Sequence, residues 1–121
     1  MSAERNFAVF IRVGQEPIII SIYKTTTKED ENECSFAKSI KALIGCKNFQ
    51  CLTIAADYDC VGYVGMWADE EGLSNRLPLN KHASKIANKG IVGDVVITGN
   101  ADDEGNTLLL TSYEALKIVK M

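Results

Sequence analysis

The chain has a single histidine, His82, so any Ser-His-Asp or Cys-His nucleophilic device must be built around it. It stands beside Lys81 and three residues before Lys85, at the start of an expected helix, and no Gly-x-Ser-x-Gly elbow accompanies it. A solvent-facing helix residue is the simpler reading. The cysteines are Cys34, Cys46, Cys51 and Cys60. Structural zinc usually takes two close pairs on tight knuckles, and only Cys46 and Cys51 are closely spaced here. Free, buried thiols are expected instead, because nothing at the N-terminus reads as a secretory leader that would favour disulfides. The run Asn100-Ala101-Asp102-Asp103-Glu104-Gly105 imitates the first half of a calcium loop. The imitation fails where a bidentate Glu is needed, since Thr111 stands there, and a solvated hairpin turn is the expectation. Asp57 with Asp59, and Asp69 with Glu70 and Glu71, could supply a general acid or base, but acids in a row also read as solvated turns. Gly-x-x-x-x-Gly-Lys-Ser/Thr and Gly-x-Gly-x-x-Gly phosphate loops are both missing. No catalytic residue, metal set or cofactor is therefore assigned.

The chain that must position these groups has 121 residues, 46% of them hydrophobic and 24% charged, which suits one folded domain over residues 1–121. The net charge is −3, and it is spread evenly: residues 1–60 hold 7 basic and 8 acidic side chains, and the remainder 6 and 8. A phosphate-tracking nucleic-acid binder would concentrate Lys and Arg, so no nucleic-acid partner is expected. The densest apolar stretch, Ile18–Ile22, is broken by Ser21 and is far too short to span a bilayer, so no membrane association is expected.

Phe7–Val13 and Ile18–Tyr23 are β-rich runs around Gly14-Gln15-Glu16-Pro17, which predicts a hairpin. Thr25–Glu33 holds no apolar residue and reads as a polar, mobile loop. Phe36, Ile40, Leu43 and Ile44 form one helical stripe, with acids at its N-terminal end, Lys38 and Lys41 further along, and Gly45 as its stop. Phe49–Ala55 and Val61–Ala68, around the turn candidate Asp57-Tyr58-Asp59, predict a second strand pair, and the charged turn Asp69–Gly72 ends it. Asn80 is a good N-cap for a short helix over Lys81–Lys89 with Ala83, Ile86 and Ala87 on one face and Gly90 as its cap. Ile91–Thr98 and Thr107–Leu110 predict two further strands, and Thr111-Ser112-Tyr113-Glu114 matches a capping box opening a helix through Val119. The order ββ-α-ββ-α-ββ-α predicts an α+β fold. Its expected sheet is antiparallel or mixed, with about six short strands and two to three helices.

Asp69-Glu70-Glu71-Gly72-Leu73, then Leu77-Pro78-Leu79-Asn80 with Ala83, then Ile91-Val92-Gly93-Asp94-Val95-Val96-Ile97-Thr98-Gly99, resemble a small phage and mobile-element family catalogued as domain of unknown function 3846. The resemblance runs from about Phe7 to Leu110. Ala42-Leu43-Ile44-Gly45-Cys46 departs from it, since Cys46 replaces the second of two glycines, and Thr25–Glu33 is longer than the family pattern. The family brings no catalytic residue to transfer. It implies a virus-encoded accessory protein made in the infected cell and working in the host cytoplasm.

The expected function is non-enzymatic binding of a host protein, by a monomer or a small homo-oligomer. The candidate surface comprises Trp67, Asp69, Glu70, Glu71, Asn75, Arg76, Asn80 and His82, because loops on a rigid sheet commonly carry function. Trp67 suits either a core or an interface anchor. The alternative is a nucleotide-like small ligand whose phosphates meet Lys81, Lys85 or Arg76. A small enzyme using His82 or the carboxylates is the third reading.

Overall fold

The computed structural model describes residues 5–22, 35–56, 62–100 and 107–120; the side chains of residues 35–37 and 56 and the whole of the Thr25–Glu33 loop lie outside this set, as do Cys34, Asp57, Asp59, Cys60 and most of the calcium-like run. The β-branched runs form β1 (Phe7–Ile11) and β2 (Ile18–Ser21), and the apolar stripe forms α1 (Ser35–Ile44). Then follow β3 (Phe49–Ala56), β4 (Gly62–Asp69), α2 (Lys81–Ala87), β5 (Val95–Gly99) and α3 (Ser112–Val119). The result is α+β, with one sheet ordered β2-β1-β5-β4-β3. Every pairing within it is antiparallel.

Alternation along the strands sorts side chains onto two faces. Val9, Ile11, Ile54, Val64, Met66, Val95 and Ile97 point to one face, where α2 adds Ala83 and Ile86 and α3 adds Ala115 and Ile118. Ala8, Phe10 and Val96 point to the other, where α1 lays down Ile40. The sheet is thus covered on both sides, which explains why β1 and β5 are apolar at consecutive positions rather than alternating.

The sixth strand expected at Thr107–Leu110 does not form. Leu110 makes a single bridge with Phe7, whose amide donates to the Leu110 carbonyl at 3.0 Å and whose carbonyl accepts back at 2.7 Å. The reason is occupancy: β5 already pairs with β1 from Ile11 to Val9, leaving only the first two residues of β1 outside that pairing. The fifth strand starts later than expected, at Val95, because Gly93 turns the chain with φ +77°. Ile91 and Val92 instead pair back with the segment before α2, through a Leu79–Val92 bridge and an Asn80 amide donating to the Ile91 carbonyl at 2.8 Å.

The helix ends follow their capping chemistry. Thr111 and Glu114 form the reciprocal capping box of α3. Gly45 stops α1 with φ +75°, its amide donating to Lys41 O at 2.8 Å. The expected cap of α2, Gly90, is displaced by Asn88, which takes the left-handed conformation at φ 56° and ends the helix two residues early. Asparagine is the side chain that tolerates this region best after glycine.

Candidate functional site

The turn between β4 and α2 is built by its own hydrogen bonds. The Gly72 amide donates to Asp69 O at 3.1 Å, Asn75 to Glu71 O at 2.9 Å, Arg76 to Leu73 O at 3.1 Å and Leu77 to Gly72 O at 3.0 Å. The Asp69 carboxylate adds an Asx-type bond, its Oδ1 accepting from the Glu71 amide at 2.9 Å. Arg76 closes the turn with φ 55°. Glu70, Glu71, Asn75 and Arg76 are all exposed, and Glu71 Oε1 accepts weakly from Asn48 Nδ2 at 3.4 Å.

At the apex sits Leu73, 82% exposed. Beside it opens a cleft of about 280 Å³, floored by Leu52, Ala68 and Ile91 and rimmed by Asp69, Glu70 and Lys89. Leu73 was absent from the surface expected from sequence, although it stands in the quoted Asp-Glu-Glu-Gly-Leu motif. A lone leucine within the otherwise polar run Asp69–Arg76 was the available signal.

The eight residues expected to form one surface are divided among four places. Asp69, Glu70, Glu71, Asn75 and Arg76 belong to the acidic turn. Trp67 points to the other face of the sheet, half-buried, where it meets Phe49 edge-on at 5.0 Å and donates from Nε1 to Thr98 Oγ1 at 2.8 Å. Asn80 is 1% exposed and its amide is fully used: Nδ2 donates to Ile11 O at 3.0 Å and Gly93 O at 2.9 Å, and Oδ1 accepts from the Ala83 amide at 3.0 Å. Its side chain is committed to the fold and ties β1, α2 and the lead into β5 together. His82 is half-buried rather than fully in solvent, and lines a second cleft of about 420 Å³ with Lys81, Leu79 and the hairpin turn Val13–Glu16. Arg76 and Lys85 do not line that cleft.

The cysteines also differ from expectation. Cys51 is exposed and Cys46 half-buried, because β3 is the last strand of the sheet and Cys46 follows the helix stop. Both thiols are nevertheless raised above the ordinary thiol pKa. Desolvation alone raises Cys51. At Cys46 desolvation is the largest cause, the Asp69 charge adds to it, and Lys41 opposes. A raised thiol pKa disfavours the thiolate, which is the nucleophilic form. Among the described residues, no group of three His, Cys, Asp or Glu side chains is placed to hold a metal ion. Among them, too, no helix is long and apolar enough to cross a membrane.

No curated protein matches the chain. Among solved structures it is similar to the small RNA methyltransferase HEN1, with a TM-score of 0.62 and 17% identity. The likeness covers 98% of this chain but 16% of that one, so it concerns the fold of one part of a much longer protein. The family described as Domain of unknown function (DUF3846) matches residues 7–121. Nearly the whole chain lies within that match, Thr111–Val119 included, and the chain belongs to this family.

Proposed function

We propose that this chain is a non-enzymatic accessory protein that acts by binding another protein through the acidic turn. The observation that carries the reading is Leu73, held out in water by a turn whose backbone is locked by hydrogen bonds. A rigid turn loses little conformational freedom when a partner docks, so an apolar side chain displayed there contributes nearly its full burial. The partner that fits offers an apolar side chain to the cleft floor and a basic one to Asp69 and Glu70. The family resemblance supports a virus-encoded protein working in the host cytoplasm, so the partner is sought among host proteins.

The test is affinity capture from host extract with the unaltered chain, with Leu73→Ala, with Glu70→Lys combined with Glu71→Lys, and with Lys120→Ala as a distant control. The expected result is a partner recovered by the unaltered chain and the control and lost from both turn variants. Equal recovery by all four would reject this surface.

A second reading rests on the 420 Å³ cleft, where Lys81 and His82 face the hairpin turn and could meet a phosphate-bearing small ligand. Such a ligand would raise the melting temperature in a thermal-shift series with nucleotides. A flat series across that panel removes this reading.

A further inference from the structure

The two edges of the sheet are β2 and β3, and they are unlike. β2 has 4 residues and follows Pro17. β3 has 8 residues, Phe-Gln-Cys-Leu-Thr-Ile-Ala-Ala, with neither a charge nor a proline among them. Natural proteins blunt exposed edges with charge, proline, bulges or brevity, and β3 has none of these, its register with β4 running unbroken from Phe49 to Ala56.

The hydrogen-bond phase of β3 follows from one contact. The Glu70 amide donates to Asn48 O at 3.1 Å, and these residues lie opposite each other in the continued register. Antiparallel pairs alternate between bonded and non-bonded residues, so Gln50, Leu52 and Ile54 bond to β4 while Cys51, Thr53 and Ala55 turn their amides and carbonyls outward. Among the described residues no backbone hydrogen bond reaches that outer side. Cys51, Thr53 and Ala55 also have exposed side chains.

We propose that β3 pairs antiparallel with β3 of a second copy of this chain, about a two-fold axis through Thr53, giving one continuous sheet across the dimer. A two-fold axis normal to the sheet reverses strand direction while keeping each face on its own side, so a residue must pair with one of equal parity. Of the registers that allows, the one centred on Thr53 places Thr53 against itself and Cys51 against Ala55, all outward-bonding positions. It also sets the half-buried Leu52 opposite Ile54 of the second copy, extending the apolar layer that otherwise ends in water at this edge. An uncharged strand is self-complementary, with no like charges brought together at the axis.

The experiment is sedimentation of the full chain at high micromolar concentration, with Thr53→Lys and Thr53→Glu examined singly and mixed. Thr53 is exposed, so neither change disturbs the core. The unaltered chain is expected to sediment as a dimer, each variant alone as a monomer because like charges meet on the axis, and their equimolar mixture as a dimer again. A monomeric unaltered chain overturns the proposal, as do variants that remain dimeric or a mixture that stays monomeric. Amide exchange at Cys51, Thr53 and Ala55 that slows with protein concentration is the accompanying expectation, and exchange independent of concentration counts against it.

Discussion

Two regions lie within a few residues of each other in the sequence and do opposite things. The Asn80 region turns its polar atoms inward, and every one of them is spoken for by backbone. The turn at Asp69–Arg76 settles its backbone internally and turns its side chains outward. Both read from sequence as polar connections that could bind. The difference teaches that a residue's type says little until its surroundings are known: an asparagine whose side chain holds three backbone groups is a fastener, and a leucine whose side chain is 82% exposed is a display.

The largest expected effect breaks the inward region. Asn80→Ala removes the N-cap of α2 and strands the carbonyls of Ile11 and Gly93 in a buried setting. A loss of about 3 kcal/mol is expected from the combined cap and desolvation terms, measured by urea unfolding. Leu73→Ala, by contrast, should change stability by less than about 0.5 kcal/mol, as exposed substitutions do. Equal destabilisation by the two would erase the distinction.

Next in size is Gly93→Ala, at the point where the fastener grips the lead into β5. A side chain there must adopt φ +77°, and its Cβ would fall 2.7 Å from Leu77 Cδ1. A loss of about 1–3 kcal/mol is expected in the same measurement. A variant as stable as the parent would show that this segment is not held as described.

The smallest effect sharpens the outward region. Because Asp69 helps to raise the Cys46 thiol, Asp69→Asn should speed alkylation of Cys46 at fixed pH, and an unchanged rate would mean the carboxylate is not felt there. The raised thiols carry a stability signature of fixed sign. Folding favours the protonated forms of Cys46 and Cys51, so their contribution is complete below the ordinary thiol pKa of about 8.5 and is lost as pH rises through the raised folded values. The unfolding midpoint should therefore fall on the alkaline side, and less so when both are replaced by Ser.

Local chemistry made much of this legible. Apolar spacing predicts α1, the turn residues Gly14–Pro17 predict the β1–β2 hairpin, and Thr111 with Glu114 gives α3 its start. Asn80 was legible as a cap because that bond is made three residues away, to Ala83. Its other bonds, to Ile11 and Gly93, join segments that only the folded chain brings together. The missing sixth strand has the same origin, since Thr107–Leu110 has strand-forming residues but β5 holds the place beside β1. Cys51 looked buried because Phe49–Ala55 is apolar on both faces, and nothing in that run says it will end at the rim of the sheet. Leu73 hid for the opposite reason, as a hydrophobic residue is assumed to be inside until a structure places it outside.

The position of β5 has a consequence for how the protein is made. It lies between β1 and β4, so among the described residues it is the strand that joins the N-terminal hairpin to the middle one. A nascent chain that has emerged only as far as α2 holds two ribbons whose edges are not yet joined, with only α1 packing against residues of both. The sheet can close only after Val95–Gly99 has left the ribosome, so a late, long-range step is expected. Fragments ending before Val95 should therefore need chaperones to stay soluble.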